Sequence, residues 1–376
     1  MTIGIDARMY GGKQTGIGNY IRHLTNHLFQ IDQENEYLIF LLEPEFSQYK
    51  VPSQKVKKIK VDARWYTFKE QFFLPAKLKK YPLDLMHFPH FNAPFLYSRK
   101  YIVTVHDITQ KYFPGPKALK SLVRREAYKL VFSHNIKKAS RIISVSHYTK
   151  QDILENFKVN PQKIEVIYEG IDPYFKPLKM EGLPDSLKNK YKISKSFLLY
   201  VGVLRDHKNI TGLIKAFNLV IRKNGLDFQL VIVGNEDPPY PKMHQLIRRL
   251  KLNDRVVRPG FISKKDLLLL YNAATLLILP SFREGFGFPP LEAMMCGTPV
   301  AASNTTALPE ILDDAALLFN PHKIKEMTAT IVKILKEKKL QQQLIQRGFR
   351  RVEKFSWRRC AEKTLKLYQE SLHNHT

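Results

Sequence analysis

The sequence predicts an α/β protein made of two doubly wound halves, and three observations support this prediction. Short apolar segments of strand length alternate with segments whose apolar residues recur every three or four positions, as on one face of a helix. This alternation is typical of parallel sheets covered by helices. The periodicity stops between residues 172 and 184, where three prolines cluster and where we place an interdomain linker. A chain of 376 residues is also too long for one ordinary core.

The first half begins with a strand at Thr2–Asp6, which is followed by a glycine-rich turn at residues 11–18. A helix comes next, because apolar residues then recur at helical spacing at Tyr20, Ile21, Leu24 and Leu28. The other strands predicted in this half are Tyr37–Leu42, Ile102–Val105, Arg141–Val145 and Glu165–Ile167.

The second half repeats the same architecture. Its predicted strands are Phe197–Gly202, Gln229–Gly234, Leu276–Leu279, Val300–Ala302 and Leu317–Phe319. The helix after the first of them has an apolar stripe made of Ile210, Leu213, Ile214 and Phe217. A last amphipathic helix is predicted at Trp357–Leu372. Ligands of such folds bind beyond the carboxyl ends of the strands, so the loops that follow strands are the candidate sites.

The composition excludes several classes of protein. Hydrophobic residues make up 44% and charged residues 25%, which excludes a disordered chain, a collagen and a coiled coil. No apolar run approaches the roughly 18 residues that span a bilayer. Residues 1–10 lack the pattern of a secretory leader. The two cysteines, Cys296 and Cys360, exclude a disulfide framework and favour a reducing compartment, so we expect a cytoplasmic protein.

The chain is strongly basic, with 61 Lys and Arg against 34 Asp and Glu. Residues 51–150 alone carry 21 basic and 5 acidic side chains, a charge that attracts anionic lipid, phosphorylated substrates or nucleic acid. Aromatic residues lie in the same stretch, namely Trp65, Tyr66, Phe68, Phe72, Phe73 and Tyr81. Basic residues beside exposed aromatics suit a patch on a membrane surface. The alternative is a solvated basic face with these aromatics in the core.

The segment 281–299 carries the most chemical information. It follows a predicted strand, contains Gly285 and Gly287, and then enters a predicted helix. A strand, a glycine loop and a helix N-terminus form a typical anion site, in which backbone N–H groups face a phosphate. Glu284 in the loop and Glu292 in the predicted first helical turn can point into the same cleft and accept hydrogen bonds from sugar hydroxyls.

Plainer interpretations exist for each of these residues. The charge of Glu292 by itself favours a helix N-terminus, and Phe286 and Phe288 could be ordinary core residues. Lys208 could be a surface residue at the start of a helix, and a lone histidine at a strand end, such as His106, is usually structural. The residues alone leave these alternatives open.

The spacing of Glu284 and Glu292 resembles the Glu-x7-Glu signature of family 4 of the retaining glycosyltransferases, with the typical Leu-Pro-Ser before and Cys-Gly-Thr-Pro-Val after it. The resemblance runs along nearly the whole chain, through Ile5-Asp6-Ala7-Arg8, Gly16-Ile17-Gly18-Asn19-Tyr20, Thr104-Val105-His106-Asp107, Gly170-Ile171-Asp172, Tyr200-Val201-Gly202 and Lys208-Asn209. Within the family, the sequence is most similar in style to bacterial mannosyltransferases of surface polysaccharide assembly.

The resemblance implies the GT-B fold, in which two Rossmann-like domains face each other across a cleft. It predicts an acceptor-binding domain over residues 1–175 and a donor-binding domain over residues 176–355. A C-terminal helix over residues 356–376 is expected to pack back on the first domain.

The resemblance also implies roles for residues of the donor-binding domain. Glu284 would contact the donor sugar, and Glu292 the ribose of the nucleotide. Lys208 would neutralise the donor diphosphate and stabilise the leaving group. Backbone N–H groups of the loop would hold sugar hydroxyls and phosphate, from Gly285, Phe286, Gly287 and Phe288.

One position departs from the family pattern. Many members have an arginine directly after the glycine that ends the strand, where this chain has Val203. Arg205, two residues further on, or His207 would then supply the second phosphate-binding cation.

In the first domain, Gly16 and Gly18 match a loop that lies near the donor phosphate and the acceptor in the family. His106 matches a histidine that lines the cleft near the donor sugar and supports catalysis. His87 and His90 are expected to follow another strand and to approach the acceptor.

We expect neither a metal ion nor an organic cofactor. No two aspartates are two residues apart, and the 12 histidines show no zinc-ligand spacing. The co-substrate would be a nucleotide-diphosphate sugar, with GDP-mannose as first choice and a UDP-sugar as alternative. Its hexose would pass, with retention of configuration, to a glycan or lipid-linked glycan at the inner face of the cytoplasmic membrane.

Three other functions compete with this interpretation. An inactive sugar-nucleotide-binding scaffold would keep the same residues, and a glycogen-synthase-like or phosphorylase-like enzyme would share the fold. A basic nucleic-acid-binding protein would use the charge, but the sequence contains no recognised nucleic-acid module, and we expect no nucleic-acid partner.

Overall fold

The structure of the chain is a computed structural model that describes residues 1–11, 15–113, 122–236 and 240–373. The chain forms two compact units, one made of Met1–Gly170 with Ser356–Thr376 and the other of Ile171–Phe355. Each unit is built on a parallel β-sheet, which confirms the predicted α/β class with two doubly wound sheets. The proline-rich stretch 172–184 contains no helix or strand and lies in the second unit.

The strands of the first sheet are, in chain order, Thr2–Asp6 (β1), Glu36–Leu41 (β2), Val56–Lys60 (β3), Leu85–Phe88 (β4), Tyr101–Val105 (β5), Arg141–Ser144 (β6) and Ile164–Val166 (β7). Their order across the sheet is β3-β2-β1-β4-β5-β6-β7, and all neighbours run parallel. The five strands predicted for this half are present, with ends that differ by at most one residue. Strand β3 escapes prediction because three lysines obscure its apolar pattern; an edge strand tolerates such charges.

The helices of this unit that precede the second sheet are Thr15–Ile31 (α1), Glu45–Gln48 (α2), Phe68–Lys79 (α3), Thr109–Tyr112 (α4), Leu122–Lys138 (α5) and His147–Asn156 (α6). The predicted apolar stripe of α1 is buried, since Tyr20, Ile21, Leu24 and Leu28 are each at most 1% exposed. Burial of one face is what holds a helix of this length in place.

The strands of the second sheet are Phe197–Val201 (β8), Gln229–Val233 (β9), Val256–Gly260 (β10), Leu276–Leu279 (β11), Val300–Ser303 (β12) and Leu317–Phe319 (β13). Their order is β10-β9-β8-β11-β12-β13, again parallel throughout. Every strand predicted in this half is found. Strand β10 escapes prediction because its Val-Val-Arg-Pro-Gly sequence contains a proline and a glycine, which an edge strand with a register shift accommodates.

The helices of the second unit are Asp185–Tyr191 (α7), Ile210–Asn224 (α8), Pro241–Arg249 (α9), Lys264–Ala273 (α10), Phe288–Met295 (α11), Leu308–Leu312 (α12), Ile324–Lys336 (α13) and Lys338–Val352 (α14). The predicted stripe of α8 is fully buried, at Ile210, Leu213, Ile214 and Phe217. The apolar face of this helix therefore covers the sheet, as the periodicity predicts.

The last helix, Trp357–His373 (α15), packs against α1 in the first unit. Its Trp357 ring stacks on the His23 ring, with centroids 5.0 Å apart and 10° between the planes. Gly170 lets the backbone come this close, because a Cβ atom there would lie 2.2 Å from the Trp357 nitrogen. The last helix is thus held against the first helix of the same unit.

The strand order reverses between β1 and β4 in the first sheet and between β8 and β11 in the second. In open α/β sheets, ligands bind beyond the carboxyl ends of the strands at such a reversal. The loops after β8 and β11 are therefore where the second unit is expected to bind a ligand.

Candidate active site

The loops after β8 and β11 bring Lys208 and Glu284 together. The Lys208 Nζ atom lies 2.6 Å from Oε1 and 2.8 Å from Oε2 of Glu284, so the ammonium bridges both oxygens of the carboxylate. The two side chains are 19% and 12% exposed. The Ser281 hydroxyl donates to Oε1 of Glu284 at 2.6 Å, and the Glu284 backbone N–H donates to Thr306 Oγ1 at 3.0 Å. Both the backbone and the carboxylate of Glu284 are therefore held in one orientation.

A rigid turn positions Lys208. The turn Asp206–Lys208 ends at Asn209, whose left-handed backbone, with φ of 53°, allows α8 to begin directly. The Asn209 amide donates to the Pro321 carbonyl at 2.9 Å. A Cβ atom at Gly212 would lie 2.3 Å from Asn209 Oδ1, so only glycine fits beside this amide. The position of Lys208 is thus fixed by the turn and by the buried Asn209 side chain that follows it.

Arg205 begins the same turn and is exposed. The His207 carbonyl accepts a hydrogen bond from the Phe282 N–H at 2.8 Å, which joins the two loops. Lys208 is thus the cation placed on Glu284, while Arg205 and His207 stay candidates for the second phosphate contact that Val203 does not provide.

The loop turns into α11 at Gly287, which has φ of 102°. A Cβ atom there would also lie 2.8 Å from Leu308 Cδ2, so glycine is required by both conformation and space. The helix begins at Phe288, and its next two residues are Pro289 and Pro290, which carry no N–H group. The helix start therefore has fewer N–H donors for an anion than the sequence pattern implies, and any such donors come mainly from the loop.

The Phe286 side chain belongs to the core. It is 4% exposed and packs on the Phe288 ring at 5.3 Å and on the Phe355 ring at 5.5 Å between centroids. The plainer interpretation of this side chain is thus the one that the structure shows, and Phe286 can contact a ligand only through its backbone.

Glu292 lies in the second turn of α11, not in the first turn as the sequence suggests. The Tyr271 hydroxyl donates to its Oε2 atom at 2.8 Å. Burial raises the pKa of Glu292 to about 7; the charge of Asp172 adds to this, while the Tyr271 hydrogen bond and Lys264 oppose it. Glu284 and Glu292 are therefore different chemically: the first pairs with a cation, and the second is a half-buried carboxyl group whose pKa is raised to about 7.

In the first unit, His106 follows β5 and both of its ring nitrogens face acceptors. Nδ1 lies 2.9 Å from Glu169 Oε1, and Nε2 lies 2.9 Å from the Pro89 carbonyl oxygen. Neither a carboxylate nor a carbonyl can donate, so the ring satisfies both contacts only when both nitrogens carry protons. Burial opposes protonation, but Glu169 and the Pro89 carbonyl outweigh it and raise the pKa of His106 above its usual value.

We expect Glu169→Gln to lower the pKa of His106, because an amide keeps a hydrogen-bonding group but removes the charge. The ¹⁵N chemical shifts of the ring nitrogens measure this midpoint directly, with the signal assigned by its loss in His106→Gln. Glu165→Gln, at an exposed position of β7, is the control and is expected to leave the midpoint in place. An unchanged midpoint in Glu169→Gln contradicts the pairing.

His87 lies within β4, whereas the sequence places it after a strand. It is fully buried, and its ring nitrogens contact the Tyr368 hydroxyl at 2.6 Å and the Thr104 hydroxyl at 2.8 Å. Burial lowers its pKa to about 3, so the ring is neutral. His87 therefore links α15 to the sheet through hydrogen bonds. Its burial does not agree with the predicted contact of His87 with an acceptor.

His90 follows β4 and is half-buried. Its ring centroid lies 6.4 Å from that of His106, and burial, with the charge of His106, lowers its pKa to about 3. His106 and His90 thus lie together beyond neighbouring strands, and their pKa values are shifted in opposite directions.

Gly16 and Gly18 lie in the first turn of α1 and not in the loop before it. A Cβ atom at Gly18 would lie 2.1 Å from the Gly11 carbonyl oxygen, so glycine at this position lets that carbonyl group approach the helix. Among the described residues, apart from its chain neighbours and the backbone of its own helix, no atom lies within 4 Å of the Cβ position at Gly16. Residues 12–14 of the glycine-rich turn lie outside the described residues.

In the part of the chain that the structure describes, no three His, Cys, Asp or Glu side chains converge in a way that could hold a metal ion. Two of the ion pairs lie in loops beyond strand ends, the Lys208–Glu284 pair in one unit and the His106–Glu169 pair in the other.

Each of the two units is Rossmann-like and is built on a sheet of parallel strands, and a chain of two such units is typical of the GT-B class. Sucrose-phosphate synthase from Thermosynechococcus elongatus has the same fold, with a TM-score of 0.79 and 21% sequence identity over 98% of both chains. This similarity confirms the fold that the sequence resemblance implies.

Comparison with known proteins shows the family to which the chain belongs. A family model described as Glycosyltransferase Family 4 matches residues 15–175, and one described as Glycosyl transferases group 1 matches residues 185–351. The chain is 30% identical to O-antigen chain mannosyltransferase B of Escherichia coli over 298 residues, which are 78% of this chain and 76% of that protein. O-antigen chain mannosyltransferase RfbU of Salmonella typhimurium is 29% identical over 72% of this chain and 70% of its own length. The chain belongs to family 4 of the glycosyltransferases.

Proposed function

We propose that the protein is a retaining, metal-independent hexosyltransferase that transfers mannose from GDP-mannose to a glycan or lipid-linked glycan during surface polysaccharide synthesis. The observation that carries this proposal is the Lys208–Glu284 pair at the strand-order reversal of the second sheet. Two mannosyltransferases among the relatives favour mannose over other hexoses.

The second unit supplies the chemistry for a donor. A nucleotide sugar carries a diphosphate, and the Lys208 ammonium is a compact charge suited to neutralise it. When the bond between the anomeric carbon and the phosphate oxygen breaks, negative charge grows on that oxygen, and a fixed cation lowers the barrier. Glu284, already fixed by Ser281 and Thr306, would accept hydrogen bonds from the sugar hydroxyls.

The transfer needs a base for the acceptor hydroxyl. Both ring nitrogens of His106 face acceptors, an arrangement that favours the protonated ring, so His106 is suited to stabilise negative charge and not to remove a proton. We therefore assign that proton to an oxygen of the departing diphosphate: the acceptor oxygen bonds the anomeric carbon, the sugar–phosphate bond breaks on the same face, and the proton passes to the leaving group. This sequence retains the anomeric configuration without an enzyme nucleophile.

The remaining contacts divide between the two units. Glu292 would hold the ribose hydroxyls, and the backbone of Gly285–Phe288 the sugar and phosphate. Gly16, with open space at its Cβ position, would allow a donor phosphate or an acceptor to approach the backbone of α1. Two histidines are expected at the acceptor from the sequence. Because His87 is buried, His90 is the remaining candidate.

Calorimetric titration tests the donor assignment. We expect GDP and GDP-mannose to bind more tightly than UDP, ADP and their sugars, and we expect Glu292→Ala to weaken that binding. Lys215→Ala, at an exposed position of α8, is the control and should bind normally. Preference for UDP would assign a UDP-sugar instead, and a product with inverted anomeric configuration would overturn the retaining mechanism.

A further inference from the structure

Three phenylalanines of α3 point to solvent. Phe68, Phe72 and Phe73 are 89%, 61% and 63% exposed, which is unusual for the largest apolar side chains of a helix. The core interpretation of these aromatics is therefore wrong for all three. Such residues on a helix surface indicate a contact that the isolated chain does not make.

The same helix buries a charged residue instead. Glu70 is fully buried, on the face of α3 that also buries Leu74 and Leu78. Its Oε1 atom accepts hydrogen bonds from Arg8 at 2.6 Å and from Asn92 at 2.7 Å. Breaking such a buried pair is costly, so α3 cannot rotate to hide its phenylalanines. The fold therefore keeps the three phenylalanines exposed.

The exposed apolar surface continues beyond α3. The Phe95 N–H donates to Gln71 Oε1 at 2.8 Å, and the Phe95 ring stacks on His134 of α5 at 3.8 Å between centroids. Leu130 lies one turn before His134 on α5 and is 67% exposed, and Leu96 is 49% exposed. We call Phe68, Phe72, Phe73, Phe95, Leu96 and Leu130 the aromatic face.

Basic residues border this face. Lys69, Lys79 and Lys80 are exposed, and the Lys69 Nζ atom lies 5.8 Å from the centre of the Phe73 ring. The acidic residue of α3, Glu70, is buried, so α3 presents only positive charge to solvent. Lys58 of β3 does not contribute, since its ammonium donates to the Phe46 and Tyr49 carbonyls.

We propose that the aromatic face is a docking surface for an anionic lipid bilayer. Aromatic side chains at a membrane interface insert between headgroups, while neighbouring lysines attract anionic lipid. No helix among those described is long and apolar enough to cross a bilayer. The attachment is therefore peripheral, through α3 and the adjoining residues. The proposal does not depend on the donor, because it rests on a different surface.

Sedimentation with vesicles of phosphatidylcholine and about 30 mol% phosphatidylglycerol tests the apolar part. Replacing both Phe72 and Phe73 by glutamine is expected to weaken binding about tenfold or more, because the inserted area is lost. Phe261→Gln is the control, since Phe261 is 71% exposed in the other unit. Equal binding by the double variant and the wild type, with unfolding midpoints that match, overturns the proposal.

A second pair of variants separates a local surface from net charge. One double variant carries Lys69→Gln and Lys79→Gln. The other carries Lys338→Gln and Lys339→Gln, which lie in an exposed part of α14. Both double variants remove the same charge. Only the first pair is expected to reduce vesicle binding and its sensitivity to salt. An equal loss in both pairs would mean that overall charge alone drives binding, which overturns a specific docking surface.

Tryptophan fluorescence locates the contact. The chain has two tryptophans: Trp65, half-buried and three residues before Phe68, and Trp357, which is 3% exposed. Vesicles should shift the wild-type emission to shorter wavelength, and Trp65→Phe should abolish the shift. A protein that dimerises through these phenylalanines in light scattering, and does not bind vesicles, would show that a second copy covers the face and would overturn the proposal.

Discussion

Replacing Lys208 by methionine is expected to lower kcat about a thousandfold, the upper range for loss of one preorganised electrostatic contact. Methionine keeps most of the side-chain volume and removes the charge, so the loss measures the charge itself. The effect should fall on kcat more than on KM, because the leaving-group charge develops in the transition state. Steady-state kinetics with GDP-mannose and an acceptor glycan measure both constants.

The matched control is Lys215→Met, at an exposed position of α8 in the same unit. It removes one lysine from the same helix region and is expected to leave kcat within about twofold. A comparable loss in both variants would mean that the general field of the unit, and not the ammonium on Glu284, supports the reaction.

Glu284→Gln should also reduce activity severely, and the double variant with Lys208→Met should lose little more than the single variants, because the two groups act as a unit. The carboxylate is occupied by Lys208 and Ser281, which makes it a poor nucleophile. Mass spectrometry of the protein during turnover should therefore find no sugar attached to Glu284. A covalent adduct there would contradict the same-face transfer.

The sequence predicts those parts of the protein that depend on local pattern. Buried parallel strands read as apolar runs, which is why β8, β11 and β12 are placed to within one residue. The Glu284 loop is equally visible, because a glycine loop between a strand and a helix is one continuous segment. Edge strands such as β3 and β10 lack this pattern, because one side of an edge strand faces solvent and lysines or a proline can be accommodated there.

The partners of the site residues are less visible, because the fold brings them from distant positions. Glu169 lies 63 residues from His106, and Tyr271 lies 21 residues from Glu292. Nothing local marks either residue. Ser281 is the exception: it lies three residues before Glu284, and a hydroxyl at that spacing in a loop is a usable sign of a side-chain hydrogen bond.

The aromatic face shows how tertiary contacts override pattern. The three phenylalanines of α3 would normally predict the buried side of the helix, yet the Glu70 hydrogen bonds fix the opposite side inward. A glutamate is buried only when it is paired, and its partner Arg8 lies 62 residues away. The orientation of α3 could therefore not be read from its own residues.

Donor affinity is expected to fall as the pH drops below about 7, because the ionised Glu292 carboxylate accepts hydrogen bonds from the ribose more strongly than the protonated carboxyl group does. Burial raises the pKa of this carboxyl group to about 7. At pH 6 only about one tenth of it is charged, so binding should be about tenfold weaker than at pH 8, where the affinity levels off. The groups that face Glu292 are Tyr271, Asp172, Lys264 and Cys296.

Protonation of Glu292 has opposite effects on folding and on donor binding: it stabilises the folded protein but weakens the binding of the donor. The folded protein binds the proton more tightly than the unfolded chain, because the pKa rises from 4.5 to about 7 on burial. This carboxyl group therefore makes the free energy of unfolding fall as the pH rises through that range. Loss of donor affinity at low pH, where Glu292 favours the folded state, would then not be a consequence of unfolding.

Calorimetric titration with intact GDP-mannose separates Glu292 from the ligand, since a doubly esterified diphosphate has no ionisation near pH 6, unlike GDP. Glu292→Gln is expected to bind weakly and without pH dependence between 6 and 8. Tyr271→Phe removes a hydrogen bond that favours the carboxylate, so its midpoint should move above that of the wild type. A pH dependence that persists unchanged in Glu292→Gln would assign the titration to another group and remove Glu292 from the ribose site.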